Sequence, residues 1–474
     1  MTPDDPSPES SPRDSWWNRP AGGREVLAVA MPLVISSLSW TVMTFIDRVF
    51  LYHDSRESMT AAFSAGTVWF AVMCLPLGIT MYASTFVSQY FGAGRPERIG
   101  LTVWQGVWLS LLATPLLIPI YQFAPQFFSM ADHGESLARQ EAIYFQILCC
   151  CGPALWISNS LSTFYSGRGL TVVVMLVDTA AAATNLLLDY AWIFGEWGFP
   201  RMGIAGAAWA TVVAFWLKVV IYVILLLRRT HRQKFGTWRG FRFDRALLGR
   251  ILYFGGPSGL QLLLDLLGFT AFVLLVGRLG AVEAEASSMA FSVSMLAFMP
   301  VWGVSQAASI LVGQHLGENR DDLASRATWT SLILAISYMS LISLLYFMVP
   351  QIFLATFFLE ERTLQADQQV RTLALVLLRF VAAYSLFDAI GMVFVGALKG
   401  AGDTRYVLGV SLVLATLLIG GSWLAVSLFD WGLYGSWTMI TIWIWLMGSI
   451  YLVRFLGGKW RQMRVIESPT IPLS

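Results

Sequence analysis

Charge is what this chain has least of. Only 13% of its 474 residues are Asp, Glu, Lys or Arg, whereas 56% are hydrophobic. Soluble domains carry about 25% charged residues, and apolar runs as long as these belong to a protein that crosses a lipid bilayer repeatedly. Cysteine and histidine are scarce too, at four each. Cys74 and the run Cys149, Cys150, Cys151 lie in apolar segments, where neighbouring helical residues point about 100° apart, so neither a disulfide framework nor a metal spacing emerges. His53, His133, His231 and His315 are scattered, mostly between the apolar runs. The chain contains no GxxxxGK[ST] loop, no GxSxG, no HExxH and no His–Asp grouping. That argues against a single-chain ATP-driven pump and against an enzyme, and no resident cofactor is expected. A net charge of +2 gives no reason to expect nucleic acid. Residues 1–23, rich in Pro, Ser, Asp and Arg, read as a polar tail, because no short apolar core precedes a small-residue cleavage site.

At roughly 20 apolar residues per span, the sequence predicts an all-α membrane protein of twelve helices. They fall near 26–51, 60–90, 101–122, 141–165, 171–194, 203–227, 248–277, 283–314, 326–349, 370–396, 405–428 and 433–457. An even number of spans puts both termini on one side. That side would collect 22 of the 31 Lys and Arg residues, which predicts cytoplasmic termini and a location in the inner (plasma) membrane.

A basic stretch at 227–250 divides the chain into a first lobe (24–230), a linker (231–247), a second lobe (248–460) and a terminal tail (461–474). Its charges read most simply as a topology signal and an anionic-lipid contact. The halves are related in sequence. A shift of 225 carries Pro32 onto Pro257, Gln89 onto Gln314, Gly92 onto Gly317 and Arg95 onto Arg320. A shift of 233 carries GRGLT (167–171) onto GAGDT (400–404), and GIAGAAW (203–209) similarly resembles GLYGSW (432–437). Six spans per half make the repeats parallel, related by a pseudo-two-fold axis along the membrane normal.

Acids stand where lipid disfavours them. Asp47 lies in the first span, Asp178 and Asp189 in the fifth, Asp265 in the seventh and Asp388 in the tenth. An aspartate at the centre of a bilayer costs roughly 2.5–3.5 kcal/mol on insertion scales, so it persists mainly against protein or a wet cavity. Lys218 and Arg379 are the only bases expected within spans, which leaves at least three acids without an obvious partner and free to take up a proton or a cation. Asn185 and Asp189, four residues apart, share a helix face. With Asp47 and the Thr211 hydroxyl they would make an all-oxygen cluster suited to Na+ or to a shared proton. Asp178 is the weaker candidate, one half-span away on about the same face. Pro32, 15 residues before Asp47, marks a bend that reads equally as a static kink or a hinge. Asp47 itself could instead sit at the outer interface beside Arg48. Asn159, Trp40, Trp69 and Trp192 are candidates for lining a cavity.

Taken together, the duplication, Pro32, Asp47, the GAGR turn (92–95) and VGALKGAGDTR (395–405) resemble the multidrug and toxic compound extrusion (MATE) family, across about residues 24–457. The resemblance implies two six-helix lobes in a V around a central cavity. It also implies a secondary antiporter that exports amphipathic, often cationic organic compounds against H+ or Na+, functional as a monomer. Pro32 and Asp47 match the family's bending first helix and its acid, and Asn185, Asp189 and Thr211 match the first-lobe cation cluster of one subgroup. Asp265 and Asp388 match the second-lobe pair of another subgroup, whose first member is usually glutamate. Pro257 is the repeat partner of Pro32. A lipid-linked oligosaccharide flippase of the same superfamily is the alternative, though such proteins tend to have basic cavities and extra helices. The major facilitator superfamily fits the helix count but lacks its charged signature here, where GAGRPERIG (92–100) stands instead. A duplicated chain with kinked, acid-bearing helices argues against an ion channel.

Overall fold

The computed structural model describes residues 15–130, 134–354, 365–427 and 431–467. Residues 1–14 of the tail, His133, Arg362 and residues 468–474 lie outside them. Among the described residues, twelve helices are long and apolar enough to cross a membrane. They are α1 (Gly23–Asp54), α2 (Arg56–Gly92), α3 (Pro96–Ser129), α4 (Glu135–Ser166), α5 (Thr171–Phe194), α6 (Ile204–Leu226), α7 (Arg245–Gly277), α8 (Ala281–Gly317), α9 (Asp321–Met348), α10 (Gln365–Ala401), α11 (Thr404–Ser427) and α12 (Gly432–Leu456). Each coincides with one of the expected spans, stopping at most one residue short of it at an end. Most extend a few residues past it, where polar first and last turns continue the helix beyond the apolar run.

Two spans are interrupted. In α3 a 3-10 turn occupies Thr114–Leu116, where Pro115 has no N–H to return to the preceding turn. In α4 the α-helix breaks between Cys149 and Gly152, just before Pro153. The cysteine run therefore marks a helix break, and all four cysteines are free thiols. By contrast α1 runs through Pro32, and α7 through Pro257, as single helices.

Buried apolar side chains fall into two clusters, one drawn mainly from α2–α6 and the other mainly from α8–α12. They trade pieces at one end. Val26, Val29 and Ala30 of α1 pack in the second cluster, while Leu247, Leu248 and Ile251 of α7 pack in the first. Each lobe thus takes in the first turns of the other lobe's first helix.

The seam between the lobes obeys the repeat. Gly78 of α2 lies so close to α7 that a Cβ there would stand 2.5 Å from the Gly259 Cα. Adding 225 to the first number gives Gly303, and subtracting 225 from the second gives Val34. A Cβ on Gly303 would stand 2.9 Å from the Val34 nitrogen. Gly92 is likewise pressed on the Gln314 backbone, and its counterpart Gly317 on the Gln89 backbone. Small residues let helices approach to backbone contact, the packing that replaces hydrophobic drive inside lipid. Polar contacts repeat the exchange. Gln89 donates through Nε2 to the Gly400 carbonyl (3.0 Å), and Gln314 donates to the Gly167 carbonyl (2.9 Å).

This seam lies at the end of the bundle that bears the basic loops. The last described residues cross it as a strap. The Val465 N–H donates to Gln89 Oε1 (2.8 Å), and Arg250 of α7 donates to the Val465 carbonyl and to Glu467 Oε2 (2.9 Å). Glu467 also accepts from the Tyr90 hydroxyl (2.6 Å) and pairs with Arg98 (3.3 Å). Among the described residues, no side-chain hydrogen bond from residues 36–54 of α1 reaches the second lobe.

Candidate coupling site

Helices α1 and α5 run in the same direction and pack side by side, with a hydroxyl–carboxylate contact setting their register. The Ser36 hydroxyl donates to Asp178, and Ser39 lies 3.4 Å from the Thr179 hydroxyl. Eleven residues make three helical turns. Counting eleven on from Ser36 reaches Asp47, and eleven on from Asp178 reaches Asp189. The two carboxylates are therefore level, and they interact electrostatically. Asp47 is 8% exposed and Asp189 fully buried, so both face protein. Arg48 turns instead onto the face of Phe63, 5.0 Å from the ring centre. No salt bridge joins it to Asp47 among the described residues.

The expected neighbours are present. Asn185 is fully buried one turn below Asp189. With its amide nitrogen toward Asp189 it donates to Oδ2 (3.0 Å), while its oxygen accepts from the Thr211 N–H (3.2 Å). In that orientation the amide supports the carboxylate and turns its own oxygen away, so direct ligation of Na+ by Asn185 requires the amide to rotate. Thr211 donates its hydroxyl to the Ala207 carbonyl of its own helix (3.2 Å). Oδ1 of Asp47 and Oδ1 of Asp189 have no hydrogen-bond partner. A buried carboxylate oxygen without a donor is costly, and a proton or cation bound at this pair would offset that cost.

Tyr144 of α4, almost fully buried, interacts with both acids. Nothing in the sequence marks it, since a tyrosine in an apolar helix is unremarkable there. The C-terminal end of α1 is fixed by Asp54, which pairs with Arg201 in the α5–α6 loop at 2.6 Å. Between the two fixed ends, Ser37, Ser39, Thr41 and Thr44 return their hydroxyls to α1 carbonyls three or four residues back. Such back-bonding weakens and bends helices. Together with the donor missing at Pro32, it makes the middle of α1 the deformable part of the cluster's support.

The other acids are differently placed. Asp178 is neutralised by Lys218 at 2.7 Å, so it is a structural pair. Asp265 accepts from Gln261 Nε2 (2.9 Å) and lies in the field of Lys399. Lys399 falls inside α10, which runs past the expected end of that span at 396. Asp388 is half-buried beside Tyr384. Among the described residues no hydrogen bond or salt bridge joins Asp265 to Asp388.

Among the expected lining residues, Trp40 is 39% exposed and rests on Phe215 (5.6 Å). Asn159 is half-buried, its amide returned to the Leu155 carbonyl (3.1 Å). Trp192 is half-buried, with its backbone carbonyl accepting from the Met202 N–H (2.7 Å). Trp69 is not a lining residue. It is core, with its indole N–H bonded to the Leu148 carbonyl (2.8 Å).

The MatE family model matches residues 32–191 and 257–424, a span that takes in both prolines and all five membrane acids. The chain belongs to the MatE family. Among curated relatives, multidrug resistance protein NorM of Aliivibrio fischeri is 26% identical over 422 residues, covering 87% of this chain and 89% of that protein. Probable multidrug resistance protein NorM of Listeria innocua is 27% identical over 438 residues, covering 91% and 93%. Among solved structures, the outward-facing conformation of a multidrug resistance MATE family transporter of the MOP superfamily superimposes with a TM-score of 0.82 at 18% identity, covering 93% of this chain and 97% of that one. The MatE fold thus accounts for the paired lobes, and the chain is a multi-pass membrane protein of a transporter family rather than an enzyme.

Proposed function

We propose that this MatE protein is a secondary efflux antiporter that exports amphipathic, often cationic organic compounds in exchange for an inward-moving H+ or Na+, with the exchange coupled at Asp47 and Asp189. The observation that carries the reading is the pair of buried, level carboxylates with unpartnered oxygens on α1 and α5, supported by Asn185, Thr211 and Tyr144. The multidrug names of its relatives support the substrate class.

In this reading the basic end faces the cytoplasm and the lobes are closed there. A cation arriving from the opposite side neutralises the acid pair, removes its attraction for a cationic solute and lets α1 bend near Pro32. The ion drives the change only through unequal affinity for the two conformations of α1. Asp265 and Asp388 are second-lobe groups available to the solute or to a second proton, and the chain works as a single copy.

The test is transport by the purified chain in vesicles with imposed gradients. Asp47→Asn should abolish gradient-dependent efflux while membrane insertion and folding persist. Replacing sodium by choline at fixed pH should stop a Na+-driven exchange and spare an H+-driven one, which a protonophore would stop. Wild-type rates from Asp47→Asn would remove α1 from the coupling step. Flux that never saturates would identify a channel instead.

A further inference from the structure

Between the start of α3 and the linker lies a groove of about 1250 Å3 that the transport cycle does not use. Seven basic side chains border it, Arg98 (already paired with Glu467) and Arg245 from two helix starts and five from residues 229–242, against the lining acids Glu97 and Asp244. Asp244 is already committed. Its Oδ1 caps α7 by accepting from the Ala246 and Leu247 N–H groups, both at 3.0 Å. The groove is strongly positive.

It is also built rather than loosely draped. The α3 side chains Trp104, Trp108 and Gln105 donate to the linker carbonyls of Thr237 (2.6 Å), Phe241 (3.0 Å) and Arg242 (2.7 Å). Gln105 Oε1 accepts from the Asp244 N–H (3.0 Å), and the Gly100 N–H donates to the Phe235 carbonyl (3.2 Å). Gly100 and Gly240 meet so closely that a Cβ on Gly240 would stand 2.7 Å from the Gly100 carbonyl carbon. These contacts satisfy the linker's backbone through α3, and basic side chains border the groove alongside.

Three linker rings remain uncovered: Trp238 is 62% exposed, Phe241 50% and Phe243 47%. Arg232 stacks on Trp238, 4.9 Å from the ring centre. Exposed aromatic rings beside a basic groove, at the point where spans leave the membrane, match the two chemistries of one molecule. Rings of this kind settle at the headgroup level of a bilayer, and arginines bind phosphate oxygens in forked pairs.

We propose that this groove is a binding site for the phosphate-bearing headgroup of an anionic phospholipid, held where the linker joins the two lobes. A lipid is favoured over a free phosphate because the uncovered rings give the acyl end of the molecule a place to rest. The lipid would tie α3 of one lobe to the start of α7 of the other.

Native mass spectrometry of the detergent-purified full chain, titrated with phosphatidylglycerol and with phosphatidylcholine, tests this. Wild type should retain phosphatidylglycerol in preference. The triple variant Arg232→Gln, Arg239→Gln, Arg242→Gln should weaken that retention at least about tenfold, since each base near a membrane surface adds measurably to the attraction. A control triple variant of exposed bases elsewhere (Arg48→Gln, Arg278→Gln, Arg379→Gln) should leave it unchanged. Trp238→Ala should lower lipid retention, and millimolar inorganic phosphate should fail to displace the lipid. The same retention in both triple variants would overturn the site, as would equal binding of phosphatidylcholine. Displacement by inorganic phosphate, with no effect of Trp238→Ala, would overturn the lipid as occupant. These readouts are independent of transport, so they stand or fall apart from the proposed antiport.

Discussion

Moving Gln89, Gly92 and Gly78 by 225 residues gives Gln314, Gly317 and Gly303, each making the mirrored contact across the seam. Moving Asp47 by the same 225 gives Phe272, a fully buried core ring. Moving Asp189 by 233 gives Ser422, also buried. The two lobes share their closing surface and differ in their ionisable interior. Such a division is what alternating access around a fixed axis asks for, because both lobes must meet at the gate whereas only one needs to sense the ion. In the first lobe Asp47 and Asp189 form no salt bridge among the described residues, although Arg48 acts electrostatically on Asp47, and Asp178 pairs with Lys218. In the second lobe Asp265 lies in the field of Lys399 and Asp388 lies beside Tyr384.

The largest expected effect breaks the interior half of this comparison. Asp189→Asn should reduce ion-driven efflux by about 100-fold or more, since the coupling ion then loses its differential affinity. Asp265→Asn should cost less than about tenfold. Initial rates in gradient-loaded vesicles check both, and an equal loss from the two would put the second lobe on the same footing.

The seam should respond symmetrically. Gly92→Val and Gly317→Val each force a side chain into facing backbone and should destabilise the protein by about 1–3 kcal/mol, with matched losses in thermal unfolding. Gln89→Ala and Gln314→Ala each leave a glycine carbonyl without its donor, at a cost of about 1–3 kcal/mol apiece. The Gln89 variant should be the worse, because Gln89 also holds the Val465 N–H. Deleting residues 465–474 should bring the two into line, and melting curves of the four proteins decide it.

The smallest effect is on pH. Burial raises the pKa of Glu467, but the Tyr90 hydroxyl, Arg98 and Arg250 outweigh it and hold the carboxyl below its ordinary value. A depressed carboxylate stabilises the folded state above its unfolded pKa and loses that contribution as pH falls through the folded one. The strap should therefore release only on acidification below the ordinary glutamate range. A thiol label on Ile466→Cys should react slowly at neutral pH and faster there, and Glu467→Gln should remove the dependence.

Much of this was legible in the residues themselves. Hydropathy located all twelve spans, because in lipid an apolar run and a closed backbone hydrogen-bond set go together. The repeat motifs turned out to be the seam, since glycines and glutamines recurring at helix ends are where two lobes touch. Asp47, Asn185, Asp189 and Thr211 stood out because acids and amides are rare in such segments. What stayed hidden depends on contacts between distant segments. Lys218 reaches Asp178 forty residues away across the α5–α6 turn, Lys399 reaches Asp265 from the other side of the lobe, and Trp69 looks like any membrane tryptophan until its indole is found on Leu148. Tyr144 carries no pattern at all. The strap at 465–467 is a three-residue stretch, Val-Ile-Glu, whose partners lie more than two hundred residues earlier.

A double-mutant cycle on ion-driven efflux tests most directly whether Asp47 and Asp189 act as one site. Asp47→Asn, Asp189→Asn and the double variant should all fall to the same residual rate, because either change alone already empties the pair. Losses that multiply in the double variant would mean two independent acids, and would contradict coupling at a shared carboxylate pair.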